Sequence, residues 1–143
     1  FFEVGGYKID SEINGKTLAD TLLKPHRSYY KQLSGLIEQK KIKGMAHITG
    51  GGLLENIPRI LPENVSVEIR RVTWNELPIF GIMQRLGNVE EGERFRTFNM
   101  GSGMVINGAE SEKDGIISHI EELGERCFEI GRVVDGKKEV FIS

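Results

Sequence analysis

Cysteine occurs once in this chain, at Cys127. That rules out an intramolecular disulfide and leaves too few thiols for a zinc or iron–sulfur centre; it fits a reducing compartment, so the cytoplasm is the expected location. Long apolar runs are missing too, and the N-terminus lacks a charged stretch followed by a hydrophobic one, so neither a membrane span nor a leader is expected. An excess of positive charge is the third absence: Lys and Arg number 19 against 21 Asp and Glu, for a formal net charge of -2. Nucleic-acid binders carry a net basic domain or stripe, so no such partner is expected and any phosphate would be bound locally. There is no initiator Met: Phe1-Phe2-Glu3-Val4 reads as the tail of a strand, and the chain is expected to be a piece of something longer.

With 143 residues the chain is long enough for one self-sufficient core. Residues 1 to 16, with turn signals at Gly5-Gly6 and Asn14-Gly15, read as a mobile lead-in or linker, and residues 17 to 143 as the domain. Thr17 caps a short helix that Pro25 stops, and Tyr29, Tyr30, Leu33, Leu36 and Ile37 mark the apolar face of a second helix. A strand from Met45 to Ile48 follows, then a helical pattern through Leu53, Ile57, Ile60 and Leu61 that Pro58 should kink or tighten. Val65, Val67 and Ile69 alternate with polar residues as a half-buried strand, Pro78 opens a helix closed by Gly87, and Glu90 to Phe95 suggests another helical turn. A strand through Met104 to Ile106 precedes a helix with a Ser111–Asp114 capping box and Gly124 at its end. Cys127 to Val134 and Lys138 to Ile142, joined at Asp135-Gly136, predict a closing hairpin. The order αβαβαβαββ predicts a layered α/β/α domain of the α+β class with a mixed β-sheet.

One stretch resists a purely structural reading. Ala46-His47-Ile48-Thr49 runs into Gly50-Gly51-Gly52 and then a helical pattern, so backbone N–H groups can converge with no Cβ atoms in the way. No Lys-Ser or Lys-Thr follows, which excludes the GxxxxGK[ST] phosphate loop, and the GxGxxG spacing is missing as well. The pattern fits a small-anion cradle or, more plainly, a tight strand-to-helix turn. His47 sits where it can touch a polar ligand or be a satisfied core histidine; His26 and His119 lean to the latter. Asn99, followed by Gly101 and preceded by the donors Arg96 and Thr97, offers a second polar loop, with a β-bulge as the alternative. Cys127 and Trp74 read as core residues. Neither a metal-ligand cluster nor a catalytic triad or carboxylate pair stands out.

Several segments nevertheless match a known family. They are Leu22-Leu23-x-Pro25-x-Arg27-x-Tyr29, Gly44-x-Ala46 through Arg59, Trp74 with Pro78-Ile79-Phe80, Gly87-Asn88-Val89, and Arg96 through Met104. In these the chain resembles the C-terminal domain of the phosphoribosylformylglycinamidine cyclo-ligases, or aminoimidazole ribonucleotide synthetases, departing from the usual pattern at Lys24 and His26. The resemblance implies a partly ferredoxin-like fold and ATP-dependent closure of the aminoimidazole ribonucleotide ring from formylglycinamidine ribonucleotide in purine biosynthesis. It implies a full-length homodimer in which ATP and Mg2+ are held mainly by an N-terminal domain that this chain lacks, so that the chain alone would be inactive. On the positions that match, it points to Gly50, Gly51, Gly52, Asn56, Arg96, Thr97, Asn99, Gly101 and Arg27 as substrate or phosphate contacts and to His47 as the candidate catalytic group, with no metal ligand. The alternatives are a related enzyme such as formylglycinamidine ribonucleotide synthase, or a non-catalytic phosphometabolite-binding module.

Overall fold

A computed structural model describes residues 1–143, the side chain of Val72 excepted. The elements are α1 (Phe2–Gly5), β1 (Glu12–Ile13), β2 (Lys16–Thr17), α2 (Leu18–Leu22), α3 (Tyr30–Glu38), β3 (Ile42–His47), α4 (Gly52–Asn56), β4 (Val65–Ile69), α5 (Pro78–Gly87), α6 (Glu91–Thr97), β5 (Met104–Gly108), α7 (Lys113–Glu122), β6 (Gly131–Asp135) and β7 (Val140–Ile142). Residues 1 to 16 thus carry α1 and most of the β1–β2 hairpin, and Ile13 is buried in the main core.

Layering follows from strand alternation. β3 and β5 pair antiparallel, with Ala46 opposite Val105 and His47 opposite Met104. Ala46, Ile48 and Val105 enter the main core with Leu53, Ile57, Val67, Ile69 and Phe80. Met104 and Ile106, on the other face, pack under α3 and α7 through Leu33, Leu36, Ile116 and Ile120. The ladder is therefore covered on both sides, as an α+β layered domain requires.

The second sheet corrects one expectation. β6 and β7 do not pair with each other: β4 lies between them, antiparallel to β6 and parallel to β7, so the sheet is mixed. The connection crosses the start of β4 at Ser66, which is fully buried and whose Oγ accepts N–H bonds from Lys137 (3.0 Å) and Glu139 (3.1 Å). A Cβ on Gly136 would overlap that hydroxyl, so the glycine serves the crossover rather than a two-residue turn.

Helix ends show how sequence signals are realised. Thr17 caps α2 as expected, its Oγ1 accepting the Asp20 N–H at 3.0 Å. Pro58 ends the helical run in a tight 3-10 turn over Pro58–Ile60. At α5 it is Asn88 (φ 47) rather than Gly87 that takes the left-handed position. Ser111 makes no cap, since a 3-10 turn (Glu110–Glu112) leads into α7; Gly124 (φ 83) does terminate it, with the Glu125 N–H bonded to the Ile120 carbonyl. Cys127 precedes β6 and packs beside the α3–α7 core, where burial pushes its thiol pKa up.

Candidate functional site

The two glycine-bearing segments meet at one end of the β3–β5 ladder. Beyond the His47–Met104 pair, the Ile48 N–H donates to the Gly103 carbonyl at 3.0 Å, bringing the 49–52 loop beside the 99–103 loop. Contact between them is made by α4 and α6. A Cβ on Gly52 (φ 55) would overlap the Phe95 carbonyl oxygen and lie 2.8 Å from that of Phe98. Gly52 is therefore a packing glycine that lets two backbones touch.

Its neighbours differ. Gly51 (φ 94) takes the left-handed conformation before α4, with the Glu55 side chain folded back on it, whereas a Cβ on Gly50 would meet nothing within 4 Å. The N–H of Gly52 donates to the Thr49 carbonyl (3.0 Å) and that of Glu55 to the Gly51 carbonyl (3.1 Å). Asn56, 4% exposed, staples the loop from inside: its Nδ2 donates to the carbonyls of Gly52 (2.8 Å), Gly50 (3.1 Å) and Thr49 (3.5 Å). The amide is occupied by the loop's own carbonyls, which holds the loop open-side outward.

Asn99 works in the opposite sense. Its Oδ1 accepts the Gly101 N–H at 3.0 Å, and its carbonyl accepts the Ser102 N–H at 2.9 Å, closing a turn in which Met100 (φ 54) and Gly101 (φ 88) are both left-handed. With Oδ1 engaged, Nδ2 is the group of Asn99 left to meet a ligand.

Charge around the loops is mixed. Arg96, on the last turn of α6 beside the exposed Thr97, lies 3.5 Å from both Glu55 and Glu93. These long, half-exposed pairs are weak. An anion settling on the 50–52 backbone would meet the Glu55 carboxylate unless Arg96 held it aside. Arg27 is ion-paired with Glu125, which ties the segment before α3 to the end of α7. The side chain that meets the loops from this segment is Tyr29, since a Cβ on Gly103 would overlap its hydroxyl. Burial raises the Tyr29 pKa, with Arg27 opposing and Glu125 assisting.

His47 is exposed and, by alternation, on the α3–α7 side of the ladder. Its ring packs against His26, centroids 4.9 Å apart at an interplanar angle of 62°, and His26 packs in turn on Tyr29 at 6.2 Å. His26 is thus no core histidine but an exposed neighbour of the candidate catalytic group. Sequence reasoning missed it, together with Tyr29 and Glu55; all three lie inside or beside the family-like segments, the one signal that pointed their way.

The fold brings His47, Gly50, Gly51, Gly52, Asn56, Asn99 and Gly101 to one ladder end, with Arg96 and Thr97 on the adjoining helix, while Arg27 pairs with Glu125. Among the described residues no three His, Cys, Asp or Glu gather into a metal-holding group, and no helix is long and apolar enough to cross a membrane.

The family model described as AIR synthase related protein, C-terminal domain, matches residues 2–143. A protein of Alkaliphilus metalliredigens (strain QYMF) named phosphoribosylformylglycinamidine cyclo-ligase is 42% identical over 144 residues, covering 99% of this chain and 42% of the relative. Proteins of the same name from Desulfitobacterium hafniense (strain DSM 10664 / DCB-2) and Geotalea uraniireducens (strain Rf4) are 50% identical over 119 residues and 46% over 134, covering 83% and 92% of the chain but 35% and 38% of those relatives. The chain therefore spans less than half the length of the curated relatives it matches, 42% of the first.

Proposed function

Because the chain belongs to the AIR synthase related protein family, matching its C-terminal domain, we propose that it is the C-terminal domain of an ATP-dependent cyclo-ligase that closes the imidazole ring of aminoimidazole ribonucleotide from formylglycinamidine ribonucleotide. The observation that carries this reading is the meeting of the 49–52 and 99–103 loops at one open end of the β3–β5 ladder. In this reading the chain forms one wall of a cleft and an N-terminal domain of the same protein forms the other, in a cytoplasmic homodimer.

The residues present do not fit ATP and Mg2+ on their own. The glycine triplet is followed by Leu53-Leu54 rather than Lys-Ser or Lys-Thr, and no carboxylate cluster accompanies it. The reading therefore gives the nucleotide to the other wall. ATP supplies the phosphoryl group that turns the formyl oxygen into a leaving group, and the amidine nitrogen then closes the ring with loss of phosphate.

This chain's share is positioning and charge compensation. Gly50 and Gly51 turn backbone N–H groups toward a substrate phosphate, Asn56 holds the Gly50 and Gly52 carbonyls inward, and Arg96 with Thr97 balances charge at the rim after drawing Glu55 aside. Asn99 presents Nδ2, and His47 orients or polarises the reacting group at the neighbouring face. Arg27 acts at longer range, its ion pair with Glu125 anchoring the segment that carries His26 and Tyr29.

The test is turnover of the full-length parent protein. ADP release should depend on formylglycinamidine ribonucleotide, and His47→Ala and Asn99→Ala should each slow it by about 10²-fold, the scale of losing one preorganised polar group, with the fold intact by circular dichroism. Unchanged turnover in both variants would sink the site assignment.

A further inference from the structure

Trp74, the only tryptophan in the chain, touches the second loop from behind. Its indole Nε1–H donates to the Met100 carbonyl at 3.0 Å, while its ring packs against the main core. Met100 is the residue of that loop under strain: it is no glycine, yet it adopts φ 54, and it is 1% exposed. Left-handed backbone persists at such a residue only where its surroundings over-determine it. The determinants can be named. Asn99 closes the turn from the front through its bond to the Gly101 N–H, and Leu77 and Phe80 lie 3.6 and 3.9 Å from where a Gly101 Cβ would stand.

Met100 packs its side chain into the main core, with open space beside it on the Trp74 side. A cavity of about 430 Å³, bordered by Arg71, Trp74, Phe95 and Met100, opens on that side. Apolar contact buries the Met100 side chain but does not fix the direction of its carbonyl, and the indole hydrogen bond is the directional tie that does. The tie reaches the carbonyl of the residue immediately after Asn99, so the plane of the Met100–Gly101 peptide, and with it the N–H that Asn99 accepts, follows the indole.

We propose that Trp74 is a positioning residue: its indole N–H presets the left-handed Met100–Gly101 peptide and thereby aims Asn99 into the cleft. The proposal rests on the reading of Asn99 as a ligand-facing residue, but the tie itself is measurable without ligand. Because there is one indole, its N–H resonance in the 15N-labelled chain is assigned without ambiguity. It should be protected from solvent exchange in the wild-type chain. Trp74→Phe keeps an aromatic ring on the core while removing the donor together with the pyrrole part of the indole; the amides of Asn99, Gly101 and Ser102 should then shift and exchange faster, while those of β4 and β6 stay in place. Affinity of the chain for ribose 5-phosphate should fall about tenfold, the equivalent of one net hydrogen bond.

An indole that exchanges as freely as an exposed one in the wild-type chain overturns the proposal, and that measurement holds whether or not the Trp74→Phe chain folds. So do unchanged loop amides in a folded Trp74→Phe chain. If ribose 5-phosphate leaves the wild-type amides of Gly50 to Asn56 untouched, the phosphate cradle fails in this chain, and the loop amides still decide the role of Trp74.

Discussion

Gly52 packs its bare Cα against the carbonyl oxygen of Phe95, close enough that a Cβ would overlap it. The three glycines of the triplet therefore have three different jobs, and substitution separates them. Gly52→Ala combines the overlap with a left-handed φ of 55 and should cost about 3 kcal/mol or more, forcing α4 away from α6. Gly51→Ala meets strain at φ 94 and, at 2.8 Å, both the Cβ and the carboxylate of Glu55, of which only the carboxylate can swing away, for an intermediate loss. Gly50→Ala meets nothing and should change stability by no more than about 0.5 kcal/mol. Urea denaturation of the three variants checks the order, and equal losses at Gly50 and Gly52 would refute it.

Asn56 offers a sharper discrimination between a structural and a ligand-facing amide. With Nδ2 given to three carbonyls, Asn56→Ala should destabilise by about 2 kcal/mol, since the loop loses the buried amide that ties its Thr49, Gly50 and Gly52 carbonyls together. Asn56→Asp should be worse than alanine at neutral pH, since a carboxylate would face the same three oxygens in a buried site. A residue whose main role were to touch ligand would show the reverse, with little loss of stability in either variant.

That contrast also shows what was legible in the residues. Local signals carried far: the Thr17 cap, the tight turn at Pro58, the strand through Val65, Val67 and Ile69, and the apolar stripe of α7 all act over a few residues and are realised, although Ser66, expected on the solvent side of that strand, is fully buried under the 136–139 crossover. What depended on distant partners was not legible. The Cys127 to Ile142 region resembles a hairpin until β4 is seen to fill the space between its arms, a pairing set more than sixty residues earlier in the chain. Asn56 looked like a ligand donor because the carbonyls it satisfies become convergent only once the loop has folded. His26 looked inert because its neighbour in space, His47, is twenty-one positions away. Both glycine segments could be picked out in advance, but their meeting across the ladder end could not.

Acid stability should be governed in part by Glu91. A hydrogen bond from Gln84 and then bonds from Arg94 hold its carboxyl below the usual glutamate range, with Arg71 adding attraction. The folded state thus favours the ionised form. Its contribution is complete above the ordinary glutamate range and is lost as pH falls through the depressed folded value. Because the side chain is half exposed, screening keeps the effect modest and salt should reduce it further. Thermal melts between about pH 6 and pH 3 should show a shallower acid decline for Glu91→Gln than for the wild-type chain. Glu129, lowered by its bond to Lys113, supplies a second and independent part of the decline. An identical acid limb in Glu91→Gln would remove Glu91 from the account.

Gly103 links the second loop to the histidine pair. It lies where a Cβ would overlap the Tyr29 hydroxyl and come 3.1 Å from its Cζ, so Gly103→Ala must displace Tyr29. Because a side-chain tip can swing away more cheaply than a backbone carbonyl, the loss of stability should be smaller than for Gly52→Ala, about 1 to 2 kcal/mol. The consequence should travel further than the energy. Tyr29 supports His26, and His26 meets the face or edge of His47, so the displaced ring should release both imidazoles. In a 13C,1H spectrum of the histidine rings, Gly103→Ala should move the signals of His26 and His47 while leaving His119, which contacts the α3 side near Gly35, in place. Tyr29→Phe, which deletes the overlapping hydroxyl and leaves only the 3.1 Å approach to Cζ, should move both signals back toward their wild-type positions in the double variant. A His47 signal that ignores Gly103→Ala would mean that the ring is oriented by the strand alone, and that His26 and Tyr29 contribute nothing to its placement.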